Sequence, residues 1–142
     1  MISLLDVNVL LALLDTDHLF HGRARAWLTE SIAQGWATCP ITQAGYVRVV
    51  SGPRYPAGST VSQAIGRLAE AMREPHHTFW PCDVSLAAQG AVAGGRLLGP
   101  GQVTDVYLLA LAVAHGGRLV TLDRRVPLTP APGATAANLV VL

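Results

Sequence analysis

Ile2-Ser3-Leu4-Leu5-Asp6-Val7-Asn8-Val9-Leu10-Leu11-Ala12-Leu13-Leu14 begins with a short apolar, β-capable segment, breaks at the polar Asp6 and Asn8, and continues as a helix-like run from Val9 to Leu14. It reads as strand, loop, helix. The pattern recurs. Trp36-Ala37-Thr38-Cys39 is a short strand closed by Pro40, and Thr42 can cap a helix reaching about Val50. Thr78-Phe79-Trp80 is a strand closed by Pro81, and a helix is expected from Asp83 to about Ala93, where Gly94-Gly95 stops it. Two β-branched, apolar strands follow, Arg118 to Leu122 and Asn138 to Leu142. Strands that alternate with helices and are apolar on both faces predict an α/β protein, with a parallel sheet covered by helices on each side.

The remaining segments fit this frame. Phe20, Ala24, Trp27 and Leu28 keep a 3.6-residue period within Asp17 to Gln34, with Asp17 as cap and Gly35 as stop, so a helix is expected there. Two prolines and two glycines between Gly52 and Gly58 make a loop. Ser59 or Thr60 can start a helix striped by Val61, Ile65, Leu68, Ala69 and Met72 and ended before Pro75. After the turn at Gly99-Pro100-Gly101, the run from Thr104 to His115 is apolar nearly all round, which predicts a central, covered helix. No repeat or boundary interrupts residues 1–142, so one domain is expected.

Composition excludes more than it assigns. A net charge of +1 does not announce a nucleic-acid binder, although all ten basic residues are arginines, whose planar fork suits phosphate. Cys39 and Cys82 match no disulfide framework and no zinc spacing. The opening residues lack the basic start and unbroken apolar stretch of an export signal, and the longest apolar run, Val106 to Ala114, falls short of the roughly 20 residues that span a bilayer. A cytoplasmic protein with no membrane association is expected. So apolar a chain, with mean hydropathy +0.38, can also leave a face for a second copy.

In parallel α/β sheets, ligands bind beyond the carboxyl ends of the strands. Asp6 follows the first strand, Asp123 follows the strand Arg118 to Leu122, and Asp105 lies in the first turn of the most apolar helix. All three carboxylates are therefore expected at one edge. An aspartate after a strand is usually a cap or turn former, but three converging ones repel in a partly dry crevice unless a cation neutralises them. Oxygen ligands favour magnesium or manganese, which would support hydrolysis. Asn8 and Thr121 are placed to orient that centre. The five histidines show no ligand spacing, and neither GxGxxG nor a P-loop occurs.

Leu4-Leu5-Asp6-Val7-Asn8-Val9-Leu10, Pro40-Ile41-Thr42-Gln43-Ala44-Gly45-Tyr46-Val47-Arg48-Val49, Thr104-Asp105 and Thr121-Leu122-Asp123-Arg124 together resemble the PIN-domain ribonucleases, most of all the VapC toxins of bacterial toxin–antitoxin pairs. The resemblance implies a three-layer α/β/α sandwich with a central parallel sheet. It also implies a magnesium- or manganese-dependent endoribonuclease, inhibition by a VapB-like antitoxin, and often a homodimer. Asp6 and Asp105 match the family's principal metal ligands, and Asp123 matches its late acid. One departure stands out. Where the family commonly places a glutamate, Thr42-Gln43-Ala44-Gly45 carries no acid, leaving Gln43 as an uncharged substitute.

Arg48 is expected to meet an RNA phosphate or pair with an active-site acid, Arg124 and Arg125 flank Asp123 on the expected RNA face, and a surface salt bridge is the alternative for each; Arg54 with Tyr55 is expected to hold and stack a base. Two other readings compete: a non-catalytic module that binds RNA or protein, motivated by the missing glutamate, and a phosphate-accepting receiver domain. The receiver reading needs a lysine at a late strand end, and the chain has no lysine.

Overall fold

The computed structural model describes residues 1–142. In chain order the strands are β1 (Ser3–Leu5), β2 (Trp36–Thr38), β3 (His77–Phe79), β4 (Arg118–Thr121) and β5 (Leu139–Val141). The α-helices are α1 (Val7–Leu14), α2 (His21–Ser31), α3 (Pro40–Val50), α4 (Val61–Ala71) and α5 (Val103–Ala114). All strand pairs are parallel and the sheet order is β3-β2-β1-β4-β5.

Alternation of side chains along each strand divides the core in two. Leu4, Ala37 and Leu119 point to one face, where they meet Val106, Leu109 and other residues of α5. Leu5, Trp36 and Val120 point to the other, where they meet α1, Tyr46 and Val50 of α3, and Ala64 and Leu68 of α4. The result is the three-layer α/β/α sandwich expected from the sequence. Residues Val106 through Ala112 of α5 are all buried, in keeping with that helix's nearly uniform apolar sequence. No helix is long and apolar enough to cross a membrane.

Several boundaries differ from those read in the sequence. Helix α1 begins at Val7 because Asp6 itself caps it, accepting from the Val7 N–H at 2.7 Å. Helix α2 begins at His21, since the Asp17 N–H is taken by Asp15 Oδ1 in a preceding turn, and it ends in a 3₁₀ turn, Ile32–Gln34. Helix α3 starts at Pro40, with the Thr42 hydroxyl accepting the Cys39 N–H, and only Ala64 and Leu68 of α4 are buried, leaving Val61 and Ile65 more than half exposed.

The helix expected from Asp83 to Ala93 is absent. Gly90 sits at φ +80°, which breaks any continuous turn, and Leu86 is half exposed, so no apolar stripe is buried to stabilise a short helix. The segment is instead a loop strapped to the first core through Val84, Val92 and Leu97, with the Tyr107 hydroxyl donating to the Val84 carbonyl at 2.8 Å.

Close packing at Gly117 joins β1, β4 and the residue after β3. A Cβ there would meet the Trp80 ring at 2.5 Å and the Ile2 carbonyl oxygen at 2.6 Å. Gly117→Ala should therefore lose about 1–3 kcal/mol of stability. Gly66→Ala, in α4 with nothing within 4 Å, should gain roughly 0.5–1 kcal/mol. Urea unfolding of both variants measures these changes, and equal stabilities would contradict this account of the packing.

Candidate active site at the carboxyl edge

The chain builds β1, β2 and β3 outward to one side and then returns to place β4 and β5 on the other, so the strand order reverses between β1 and β4. A crevice opens at such a switch point, beyond the carboxyl ends of the two strands. Asp6 follows β1 and Asp123 lies two residues past β4. Helix α5 must end where β4 begins, at the opposite edge, which sets its first turn and Asp105 at the carboxyl edge as well.

Asp6 is 7% exposed, and each of its oxygens accepts at least one hydrogen bond. One carboxylate oxygen accepts the Val7 N–H; the other accepts the Thr121 hydroxyl at 2.7 Å and the Asn8 amide at 3.1 Å. Asn8 also donates to Thr121 Oγ1 at 3.1 Å and accepts the Leu122 N–H at 3.0 Å, while Thr121 Oγ1 accepts the Asp123 N–H at 3.0 Å. Burial pushes the Asp6 carboxyl above its ordinary value, while the donors from Thr121, Val7 and Asn8 act in the opposite direction and the Asp123 charge adds to the rise.

Asp105 has no such donors. Burial first, then the charges of Asp6 and Asp123, push its carboxyl up to about 6, with Arg125 opposing weakly. Asp123 goes the other way. Both of its oxygens face the Arg125 guanidinium, Nε to Oδ1 and Nη2 to Oδ2 at 3.0 Å each, and Oδ1 also accepts the Arg125 backbone N–H at 2.8 Å. That fork holds the Asp123 carboxyl below its usual range. The three acids thus act on one another at one edge of the sheet. They do not form a compact ligand set, for no group of three or more His, Cys, Asp or Glu side chains is close enough to hold a metal ion.

The other residues singled out in the sequence divide by position. Arg124 is exposed beside Asp123 on the acid edge. Gln43 hydrogen-bonds none of the acids; its amide donates to Thr38 Oγ1 at 3.0 Å and lies 3.5 Å from the Met72 sulfur. Within that acid-free stretch, position 45 is closed to a larger side chain. A Cβ on Gly45 would come within 2.5 Å of Val7 Cγ2, the residue next to Asp6. Arg48 is exposed in the groove between α3 and α4.

Arg54 and Tyr55 lie at the far end of α1 and α3 from Asp6, since α1 spans about 12 Å along its axis. Tyr55 packs against the second core and its hydroxyl donates to Asp15 Oδ2 at 2.6 Å. It therefore ties the loop to the end of α1. Sequence reasoning missed this strut, and it missed buried Thr38, whose Oγ1 also lies 2.9 Å from His77 Nε2, because neither contact leaves a local pattern.

A PIN domain family model matches residues 3–131. The chain is 56% identical over 140 residues to "Ribonuclease VapC44" of Mycobacterium tuberculosis, covering 99% of each protein. It is 46% identical over 124 residues to "Ribonuclease VapC39" of the same organism, covering 87% of this chain and 89% of the relative. Its fold also resembles the crystal structure of VapBC2 from Rickettsia felis bound to a DNA fragment from their promoter, with TM-score 0.62 at 16% identity, covering 100% of this chain and 98% of the other. With the parallel sheet and its acidic switch point, these matches show that the chain belongs to the PIN domain family, among its VapC toxins.

Proposed function

We propose that the protein is a magnesium- or manganese-dependent endoribonuclease, the toxin of a toxin–antitoxin pair, in which residues 1–142 act as one catalytic domain. The observation that carries this reading is the uncompensated charge at Asp105, whose carboxyl burial and the neighbouring acids drive to about 6 at the switch point of a parallel sheet. The 56% identity to a protein named as a ribonuclease supports the substrate class. A VapB-like antitoxin, a homodimer and a cytoplasmic location complete the reading, in line with the VapBC assembly whose fold the chain shares.

The donor set fits a hard divalent cation: Asp6 and Asp105 offer oxygen, and Asp105 carries charge that no protein hydrogen bond relieves. These two would hold the ion, with Asp123 joining them. Bound there, the ion would supply acidification of an attacking water and neutralisation of charge developing on the phosphodiester. The chain's own residues set the frame. Thr121 and Asn8 fix the orientation of the Asp6 carboxylate, and the Val7 N–H holds its other oxygen. Arg124 and Arg125 supply positive charge on the same edge for the RNA backbone.

One observation favours the non-catalytic alternative. Asp123 is already neutralised by Arg125, and no glutamate strengthens the cluster. A module of that kind would bind RNA or protein without cutting.

Cleavage of total cellular RNA by purified protein, in magnesium, manganese or chelator, separates the two. Asp105→Asn should lower metal-dependent cleavage by on the order of a hundredfold or more. Intact RNA from folded, antitoxin-free wild type in both metals would favour the binding module instead. The ionisation of Asp105 also has a stability consequence. Between about pH 4 and its folded value near 6, the folded metal-free protein keeps a proton that the unfolded chain has released. The Asp105 contribution is thus unfavourable above pH 6 and is relieved on acidification. In chelator at pH 7, Asp105→Asn should therefore be more stable than wild type by on the order of 1 kcal/mol and melt higher, with the gap closing toward pH 4. A lower melting temperature at pH 7 would show that Asp105 stabilises the fold.

A further inference from the structure

Arg125 adopts an arrangement that neither the fold nor the cleavage reading requires. Its guanidinium is exposed to solvent, with the side chain 88% accessible, yet it turns back two residues to lie fork-to-fork against Asp123. Open water is available to it on that edge, and Arg124, the adjacent residue, makes no such contact. The pairing has a geometric cause: the Arg125 N–H already donates to Asp123 Oδ1, folding the main chain into a turn that brings the side chain over the carboxylate. The arginine thus occupies the acid that a third metal ligand would need. Asp6 and Asp105 have no cation of their own.

We propose that Arg125 is a resident counter-ion of Asp123 that an incoming divalent cation must displace, so that this side chain sets how much cation the acid cluster requires. The proposal rests on the metal-dependent reading given above. A bidentate guanidinium neutralises the carboxylate and covers the approach to both oxygens, so the ion and the arginine compete for the same two atoms. Displacement exposes five N–H donors at the edge where a phosphate would arrive. Binding is reciprocal: whatever affinity Arg125 takes from the cation, the cation takes from the ion pair. The turn's backbone bond does not involve the side chain of residue 125, so Arg125→Gln and Arg125→Lys both keep it.

Manganese affinity, measured by calorimetry on intact wild type, Arg125→Gln and Arg125→Lys, tests the competition without recourse to cleavage. Arg125→Gln should bind about two- to fivefold more tightly, the range expected for removing one exposed ion pair, and Arg125→Lys should fall between, keeping the charge without the fork. In parallel, the Arg125 Nε–H signal, identified by its absence from Arg125→Gln among the ten arginines, should move from a hydrogen-bonded to a solvent-exposed shift as magnesium is added. Equal or weaker manganese binding by Arg125→Gln, or an Nε–H signal unchanged at saturating magnesium, overturns this proposal and leaves the nuclease reading intact. A wild-type protein that takes up neither ion overturns both.

Discussion

The carboxyl edge is organised around one buried hydroxyl. Thr121 Oγ1 donates its single proton to Asp6 and accepts from the Asn8 amide and the Asp123 N–H, so its donor and both lone pairs are spent inside the protein. That oxygen fastens the end of β1 to the end of β4 where the strand order reverses. Without it, Asp6 would lose its shortest side-chain donor, and Asn8 and the loop carrying Asp123 would lose a common anchor. Valine, of nearly the same shape, would fill the space and leave three polar groups unanswered.

The same edge shows how three like side chains come to differ. Asp6 is the most buried yet is surrounded by donors, Asp123 is partly exposed and matched to a guanidinium, and Asp105 has neither kind of relief. Repulsion among the three therefore collects on Asp105, the acid with least to offset it. Its position in the first turn of α5 still makes physical sense, since the positive end of the helix dipole is the most favourable place for an unpaired carboxylate. Residues Val106 through Ala112 of α5 are all buried, so Asp105 is carried on a helix that packing holds in place.

Much of this was readable from the residues. Alternating apolar strands and helices led to the parallel sheet, the all-apolar helix to central α5, and the strand-end aspartates to the acid edge, because hydrophobic period and strand termini are local properties. Three features were not readable. The strand order β3-β2-β1-β4-β5 depends on crossover paths that the sequence does not encode locally. The Asp83–Ala93 stretch has acceptable helix formers but no partner to bury them, and that depends on tertiary packing. The assignment of Tyr55 to base stacking rested on its loop, whereas its hydroxyl is committed to Asp15, forty residues away. At the site, the sequence placed the acids on a common edge but not the Arg125 fork, which arises from a turn two residues long.

The contact between Gly45 and Val7 bears on where the carboxyl edge can accept further charge. With no Cβ at position 45, helices α1 and α3 have settled against each other at a separation that leaves no room for a side chain beside the residue following Asp6. An acid introduced at position 45 would have to displace Val7 or part the two helices, whereas Gln43, half-buried near the start of the same helix, is one substitution from a glutamate. The packing therefore directs where charge can be added to this edge: not beside Val7, but two residues earlier.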